Sequence, residues 1–287
     1  MCRFLITLAV SFVLMACSSG PVQEELVARG DYLVNGIVAC GNCHTPRNAD
    51  ATAVADMRLA GSFVIEEPEL TAYAPNITQD HETGIGAWSD EEIMRAIREG
   101  VRSDGTIIGP PMPIPSYREM SDADVTAIVA YLRTVAPIRN IVPRSKYNFP
   151  LPESWGPPLS TVPDVNRDDP VAYGTYVGNA LGHCMECHTP MVDGSFDFSR
   201  TGAGGFLLNR PLGLEIAAVA ANITPHPEQG IGEWTDDEIK TAITKGVSRD
   251  GRMLAPIMAF PYYQNISDED LDALIAYLRS LPTQPPD

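Results

Sequence analysis

The clearest hydrophobic pattern in the chain is a helical spacing that occurs twice. Apolar side chains at i, i+3, i+4 and i+7 predict one amphipathic helix near the middle of the chain and another near its end. The positions are Val125, Ile128, Val129 and Leu132 in the first case and Leu271, Leu274, Ile275 and Leu278 in the second. A further apolar stretch predicts a helix from about Leu26 to Val38.

Two more helices are predicted by the signals at their ends. Ser89 stands three residues before Glu92, and Thr235 stands three residues before Glu238, which is the spacing of a capping box. The helices that follow are expected to end at glycines, the residue preferred in the left-handed position: Gly100 and Gly246. Proline- and glycine-rich stretches separate these helices and favour neither helix nor sheet, so we expect an all-α fold.

The second half of the chain repeats the first. Matching strings include Gly-x-Tyr at residues 30–32 and 174–176, Asn-Ile-Thr at 76–78 and 222–224, and Gly-Ile-Gly-x-Trp at 84–88 and 230–234. The offset is 144 residues at the first of these strings and 146 at the others, so the second unit carries a two-residue insertion. We therefore expect two domains, at residues 26–136 and 170–281, joined by a proline-rich linker at 137–169 and followed by a tail at 282–287.

The N-terminus reads as a targeting segment. Arg3 precedes an apolar run, Phe4 to Ala16, that is too short to span a bilayer, and Cys17 follows it. This resembles a bacterial lipoprotein signal, with residues 1–16 removed, Cys17 lipidated and residues 17–25 serving as a tether. An ordinary secretory signal cut nearby, leaving a soluble periplasmic protein, is the alternative.

The chain is acidic, with 20 Lys and Arg against 37 Asp and Glu and a formal net charge of −17. This balance argues against nucleic acid or an anionic membrane surface as a partner. It favours a basic partner, although acidity that only keeps an exported protein soluble explains the composition equally well.

Two C-x-x-C-H motifs indicate the chemistry of the chain. Two thiols three residues apart can add across the vinyl groups of a haem, and the next histidine can reach the iron. The motif residues are Cys40, Cys43 and His44 in the first unit and Cys184, Cys187 and His188 in the second. We expect two covalently bound haem c groups, with His44 and His188 as axial ligands.

Two other uses of the motif fit less well. A zinc site needs two more soft ligands per copy, and the only other cysteines are Cys2 and Cys17. A redox dithiol does not need the histidine and would stand near a βαβ pattern, which the sequence lacks.

The sixth iron ligand should recur at the repeat offset if both units use the same one. Among the ten methionines, Met112 and Met258 form the pair that recurs, each in a proline-containing loop. We therefore predict Met112 and Met258 as the second axial ligands, the alternative being that both are core methionines. The other histidines do not recur in this way.

Together, C-x-x-C-H-T-P, Asn-Ile-Thr, the Gly-Ile-Gly-x-Trp string, the methionine loop and Ala-Tyr-Leu-Arg resemble the bacterial class I cytochrome c domain. The chain is similar to the cytochrome c subunits of membrane-bound alcohol, sorbitol and gluconate dehydrogenases. Those subunits commonly carry three haems and often a C-terminal membrane helix; this chain has two haem motifs and a polar tail.

The resemblance implies two tandem cytochrome c domains that relay single electrons in the periplasm. A dehydrogenase would be the donor, and a downstream cytochrome or terminal oxidase the acceptor. The competing class is a dihaem enzyme, such as a peroxidase or a thiosulfate-oxidising cytochrome, with one iron open to substrate. Such an enzyme should differ between the units at the sixth ligand, whereas Met112 and Met258 match.

Overall fold

The structure is a computed structural model that describes residues 21–284. The predicted signal segment with Cys17, and the end of the predicted tail, lie outside the described residues. The helices of the first unit are α1 (Pro21–Asn35), α2 (Gly41–His44), α3 (Asp90–Arg98), α4 (Ile114–Tyr117) and α5 (Asp122–Leu132), with a 3₁₀ turn at Ala55–Met57. An antiparallel hairpin, β1 (Ser62–Glu67) and β2 (Leu70–Ala74), lies between α2 and α3.

The linker is extended and packs mainly on the first unit. Its strand β3 (Lys146–Tyr147) adds to the edge of β2, which makes a three-stranded sheet in the order β1-β2-β3. Farther along, the indole N–H of Trp155 donates to the carbonyl of Ile108 at 2.8 Å. Near its end, Arg167 reaches the second unit, where its guanidinium lies 3.2 Å from Glu269.

The second unit has its helices in the same order but differs in its strands. Its helices are α6 (Pro170–Thr175), which continues into a π-helical turn (Tyr176–Leu181), α7 (Cys184–Cys187), α8 (Asp236–Lys245), α9 (Phe260–Tyr263) and α10 (Asp268–Ser280). Its strands form two short antiparallel pairs, β4 (Met191–Val192) with β5 (Ser195–Phe196) and β6 (Leu207–Asn209) with β7 (Ala217–Val219). Short 3₁₀ turns occur at Phe198–Arg200 and Pro211–Gly213.

The helices predicted from the sequence are present. In α3 and α8, the side chains of Ser89 and Thr235 accept from the backbone N–H groups of Glu92 and Glu238, which completes both capping boxes. The eight apolar positions with helical spacing lie on α5 and α10, and all eight are buried. The first helix begins earlier than expected, at Pro21, and ends at Asn35.

The expectation of an all-α fold is wrong. The structure is only 36% helical and contains several antiparallel β-pairs. In the first unit the strands come from a stretch in which Phe63, Val64 and Ile65 lead to the turn at Pro68 and Glu69. β-Branched and aromatic residues around such a turn favour a hairpin, and this local pattern outweighs the general abundance of proline and glycine. None of the helices among residues 21–284 is long and apolar enough to cross a membrane.

The two units face each other through matching hydrogen bonds. The Tyr32 hydroxyl donates to the Asp270 carboxylate at 2.6 Å, and the Tyr176 hydroxyl donates to the Asp124 carboxylate at 2.7 Å. Tyr32 and Tyr176 are equivalent in the repeat, as are Asp124 and Asp270. Each unit therefore gives a tyrosine to the other unit's C-terminal helix, and we name these four residues the tyrosine–aspartate latch.

Within each unit, the aspartate of the latch has a second partner. Arg29 donates to both carboxylate oxygens of Asp124, at 2.8 and 2.9 Å. Tyr173, at the position equivalent to Arg29, donates to Asp270 at 2.8 Å. Both aspartates are buried, so these hydrogen bonds compensate for the removal of the two carboxylates from water.

Candidate functional site

Each predicted axial histidine is oriented by a backbone carbonyl. Nδ1 of His44 lies 2.8 Å from the carbonyl oxygen of Pro75, and Nδ1 of His188 lies 2.7 Å from that of Ala221. A carbonyl oxygen only accepts, so the hydrogen of each neutral ring is assigned to Nδ1. Nε2 of each ring then presents a lone pair, which is the state that an imidazole needs to bind a metal.

The four motif cysteines are partly buried and form no disulfide among the described residues. Burial is the main cause that raises their pKa values, to about 12 for Cys40, about 11 for Cys43, about 11 for Cys184 and about 12 for Cys187. Within residues 21–284, no group of three or more Cys, His, Asp or Glu side chains is arranged to hold a metal ion.

These donors fit a covalently bound haem in each unit. Paired thiols on the short helices α2 and α7 would form the two thioether bonds, and Nε2 of His44 or His188 would bind the iron on one face. The haem would supply the one-electron redox chemistry, and the protein would set its potential through ligands, hydrogen bonds and burial.

The predicted methionine ligands lie at equivalent places before α4 and α9. The carbonyl of Met112 accepts from the N–H of Ile114, and the carbonyl of Met258 accepts from that of Phe260, both at 2.8 Å. Both methionines are partly buried. Farther along α4, the Tyr117 hydroxyl lies within electrostatic reach of the Cys40 and Cys43 thiols, which places this loop beside the first haem motif. The ligation itself stays a prediction.

The two methionine loops differ in how they are covered. The linker covers the first loop: the Tyr147 hydroxyl donates to the carbonyl of Pro110 at 2.9 Å, and Gly109 packs against Tyr147 and Leu151. In the second unit, Ala255 and Pro256 are exposed, and Met253 is 69% exposed.

The two haem motifs meet at the boundary between the units. On one side, the Ser116 hydroxyl of α4 donates to the Glu186 carboxyl of the second motif at 2.9 Å. On the other, a Cβ added to Gly41 of the first motif would stand 2.3 Å from the hydroxyl of Tyr262 on α9. The Cys43 thiol is also among the groups that raise the pKa of Cys187. The helix after each methionine loop thus contacts the other unit's haem motif.

Several of these functional positions cannot be recognised in the sequence. The carbonyls that orient the histidines are 31 and 33 residues away along the chain and carry no side-chain signature. Asn76 and Asn222, the first residues of the two Asn-Ile-Thr strings, donate to the backbone carbonyls of Ile138 and Gln284. The latch tyrosines and aspartates recur in the repeat, but their pairing across the units appears only in the fold.

Comparison with known proteins agrees with this geometry. The family model described as cytochrome c matches residues 27–136 and 178–282, which covers both units. The chain belongs to the cytochrome c family. The expected haem c cofactors agree with this membership and with the second relative described below.

Similar cytochromes include subunits of dehydrogenases. The cytochrome c subunit of alcohol dehydrogenase (quinone) from Gluconobacter oxydans is 32% identical over 97% of this chain and 60% of that protein. A "diheme cytochrome c-type" protein from Cereibacter sphaeroides is 29% identical over 85% of this chain and 82% of that protein. The gluconate 2-dehydrogenase cytochrome c subunit from Pantoea cypripedii is 31% identical over 93% of this chain and 62% of that protein.

This cytochrome spans about three fifths of the length of both dehydrogenase subunits. The shared part contains both haem motifs, which is consistent with electron transfer as the general function.

Proposed function

We propose that the protein relays single electrons between two haem c groups, from a dehydrogenase to a downstream cytochrome or terminal oxidase. The observation that carries the proposal is the meeting of both haem motifs at one boundary, where Ser116 of the first unit donates to Glu186 of the second motif and Tyr262 of the second unit packs against Gly41 of the first motif. Haems attached to these two motifs would share that boundary, which favours direct exchange of an electron. The names of the relatives, cytochrome subunits of alcohol, gluconate and fructose dehydrogenases, support a dehydrogenase as the donor.

The residues of this chain give each site the character of an electron carrier. His44 and His188 would fill one face of each iron, with their rings fixed by the carbonyls of Pro75 and Ala221. Met112 and Met258 would close the opposite faces. An iron closed on both faces does not bind substrate readily, and a methionine ligand raises its potential relative to a second histidine.

The proposed location is the periplasmic side of a bacterial membrane. It is supported by the N-terminal segment, in which a basic residue and a short apolar run precede Cys17. A lipid on Cys17 would keep the relay beside a membrane-bound dehydrogenase. Mass spectrometry of the protein purified from membranes would test this, because replacing Cys17 with Ser should remove the lipid mass and release the protein to the soluble fraction.

The ligand assignment is tested by replacing each methionine in turn. In Met112→Ala and Met258→Ala we expect one haem to lose its methionine-to-iron charge-transfer band, to fall in potential and to bind carbon monoxide when reduced. Met253→Ala is the matched control, because this exposed side chain lies five residues before Met258. Carbon monoxide binding by the reduced wild-type protein would contradict the relay and favour a dihaem enzyme with an open iron.

A further inference from the structure

The two haem motifs carry different charges at equivalent positions. The residue between the two cysteines that precedes the second is Asn42 in the first unit and Glu186 in the second. Three residues after the axial histidine, the first unit has Arg47 and the second has Met191. The first motif therefore has a cation nearby, and the second contains a carboxyl group. The cysteines and the histidine are the same in both motifs.

Arg47 is held against the first motif. Its guanidinium donates to the carbonyl of Ala51 at 2.8 Å and to the side-chain oxygen of Asn42, which fixes it beside the cysteines. It acts on the Cys43 thiol in the direction that lowers the pKa, against the larger effect of burial. Its Nε is buried and has no hydrogen-bond partner among the described residues. Because arginine stays protonated in proteins, this positive charge is permanent.

Glu186 is held against the second motif. Its carboxyl accepts a hydrogen bond from the Ser116 hydroxyl of the first unit at 2.9 Å, and the side chain is mostly enclosed at the boundary between the units. It also contributes to the raised pKa of Tyr117 in the first unit, so it lies between the two motifs and does not distinguish one site from the other. At the equivalent place in the first unit, Asn42 is neutral and binds the arginine.

We infer that the first haem site, next to Arg47, has the higher reduction potential and that the second site, which has the neutral Met191 at the equivalent position, has the lower. Reduction adds one negative charge to a haem, so a fixed cation nearby stabilises the reduced state. The effect is larger in partly buried surroundings, where water screens less. This inference rests on the proposed function and gives that relay a direction.

The direction assigns an order to the two units. An external donor reduces the second site, one electron then passes to the first site, and the external acceptor removes it from there. The second site is oxidised as the first is reduced, so the exchange needs no proton and no further reactant. In the second unit, Arg47 has the neutral counterpart Met191, so the bias does not cancel between the sites.

A spectroelectrochemical titration of the purified holoprotein tests the order. In Arg47→Gln we expect the higher of the two potentials to fall, with a change of about tenfold in the exchange equilibrium, or about 59 mV for one electron.

Two controls separate charge from structure. Arg47→Lys keeps the cation and should retain most of the higher potential, whereas a purely structural role of the guanidinium would make it resemble Arg47→Gln. Arg252→Gln removes a 70% exposed guanidinium and should move neither wave.

The order is overturned if Arg47→Gln lowers the lower of the two potentials in place of the higher, or if it shifts neither potential. These outcomes would not contradict the proposed relay itself. The relay has its own test, which is carbon monoxide binding by the reduced wild-type protein.

Discussion

At the scale of single residues, one glycine in each unit sets how closely the first helix packs against the last. A Cβ added to Gly30 would stand 1.9 Å from the carbonyl oxygen of Ala127, and one added to Gly174 would stand 1.8 Å from that of Ala273. Neither glycine needs an unusual backbone conformation, so its role is to provide space. The contact brings α1 against α5 and α6 against α10, which are the main helix pairs of the two units.

Replacing these glycines with alanine should therefore destabilise the units. We expect Gly30→Ala and Gly174→Ala each to lower the free energy of unfolding by about 1–3 kcal/mol or more, because the added methyl meets backbone on the opposite helix. Chemical denaturation followed by far-ultraviolet circular dichroism measures the change, and Gln23→Ala, at an exposed position of α1, is the control. Stability equal to the wild type in both glycine variants would show that the helices can separate at no cost.

The haem motifs can be recognised in the sequence, whereas the surroundings of their side chains cannot. Cysteines three residues apart and a following histidine are local, so the motif can be recognised without the fold. The carbonyls of Pro75 and Ala221 are supplied by any residue type, and only the tertiary structure brings them to His44 and His188. The same holds for Glu186, whose burial depends on the first unit's Ser116.

At the scale of elements, the Asn-Ile-Thr strings fasten the segment that follows the last helix of each unit. The Asn76 amide donates to the carbonyl of Ile138 at 2.7 Å, and the Asn222 amide donates to the carbonyl of Gln284 at 2.9 Å. The Thr78 hydroxyl adds to the first clamp by accepting from the N–H of Ile138 at 3.1 Å. Through these bonds, each string closes the chain around the end of its own unit.

The first clamp should contribute measurably to stability. In Asn76→Ala we expect the free energy of unfolding to fall by about 1–3 kcal/mol, because the carbonyl of Ile138 loses the closer of its two side-chain donors and the asparagine itself is 2% exposed. Amide hydrogen exchange should become faster in residues 138–140, because this segment is held less firmly against Thr78 and Thr83, which accept from its N–H groups. Asn166→Ala, at an exposed position of the linker, is the control, and unchanged exchange in residues 138–140 would contradict the clamp.

Helices were easier to predict than strands, for a physical reason. A capping box or an i, i+3, i+4, i+7 pattern is complete within one segment, as at Ser89 and along α5. A hairpin such as β1-β2 is short, and its outer partner β3 comes from the linker more than 70 residues away from β2. Only the folded unit shows that part of the proline-rich linker pairs with β2 as a strand.

At the scale of the whole molecule, the latch joins the two units, whose helices follow the same order along the chain. Asp124 and Asp270 each receive a tyrosine hydroxyl from the other unit, and the N–H groups of Ser121 and Ser267 donate to these same hydroxyls at 3.2 Å. A carboxylate that accepts several hydrogen bonds in a buried position holds its donors in a defined geometry. The latch therefore fixes how the two haem motifs are presented to each other.

The latch should weaken in alkali, and the sign follows from the tyrosines. Burial and the hydrogen bond to Asp270 raise the pKa of Tyr32 to about 12, and burial and Asp124 raise the pKa of Tyr176 as well. A group whose pKa is raised by folding stabilises the folded state fully below its ordinary pKa of about 10. This contribution is lost as the pH rises through the folded value, because ionised tyrosine would face a carboxylate.

We therefore expect the free energy of unfolding of the wild type to decline between about pH 10 and 12. The double variant Tyr32→Phe, Tyr176→Phe should be less stable at pH 8, because two buried carboxylates lose donors, and its alkaline decline should be shallower. Tyr73→Phe, at a tyrosine on β2 outside the latch, should keep the wild-type profile. If the free energy of unfolding declined equally steeply with pH in the wild type and in the double variant, groups other than Tyr32 and Tyr176 would cause the decline. Ionisation of the two tyrosines would then not weaken the latch.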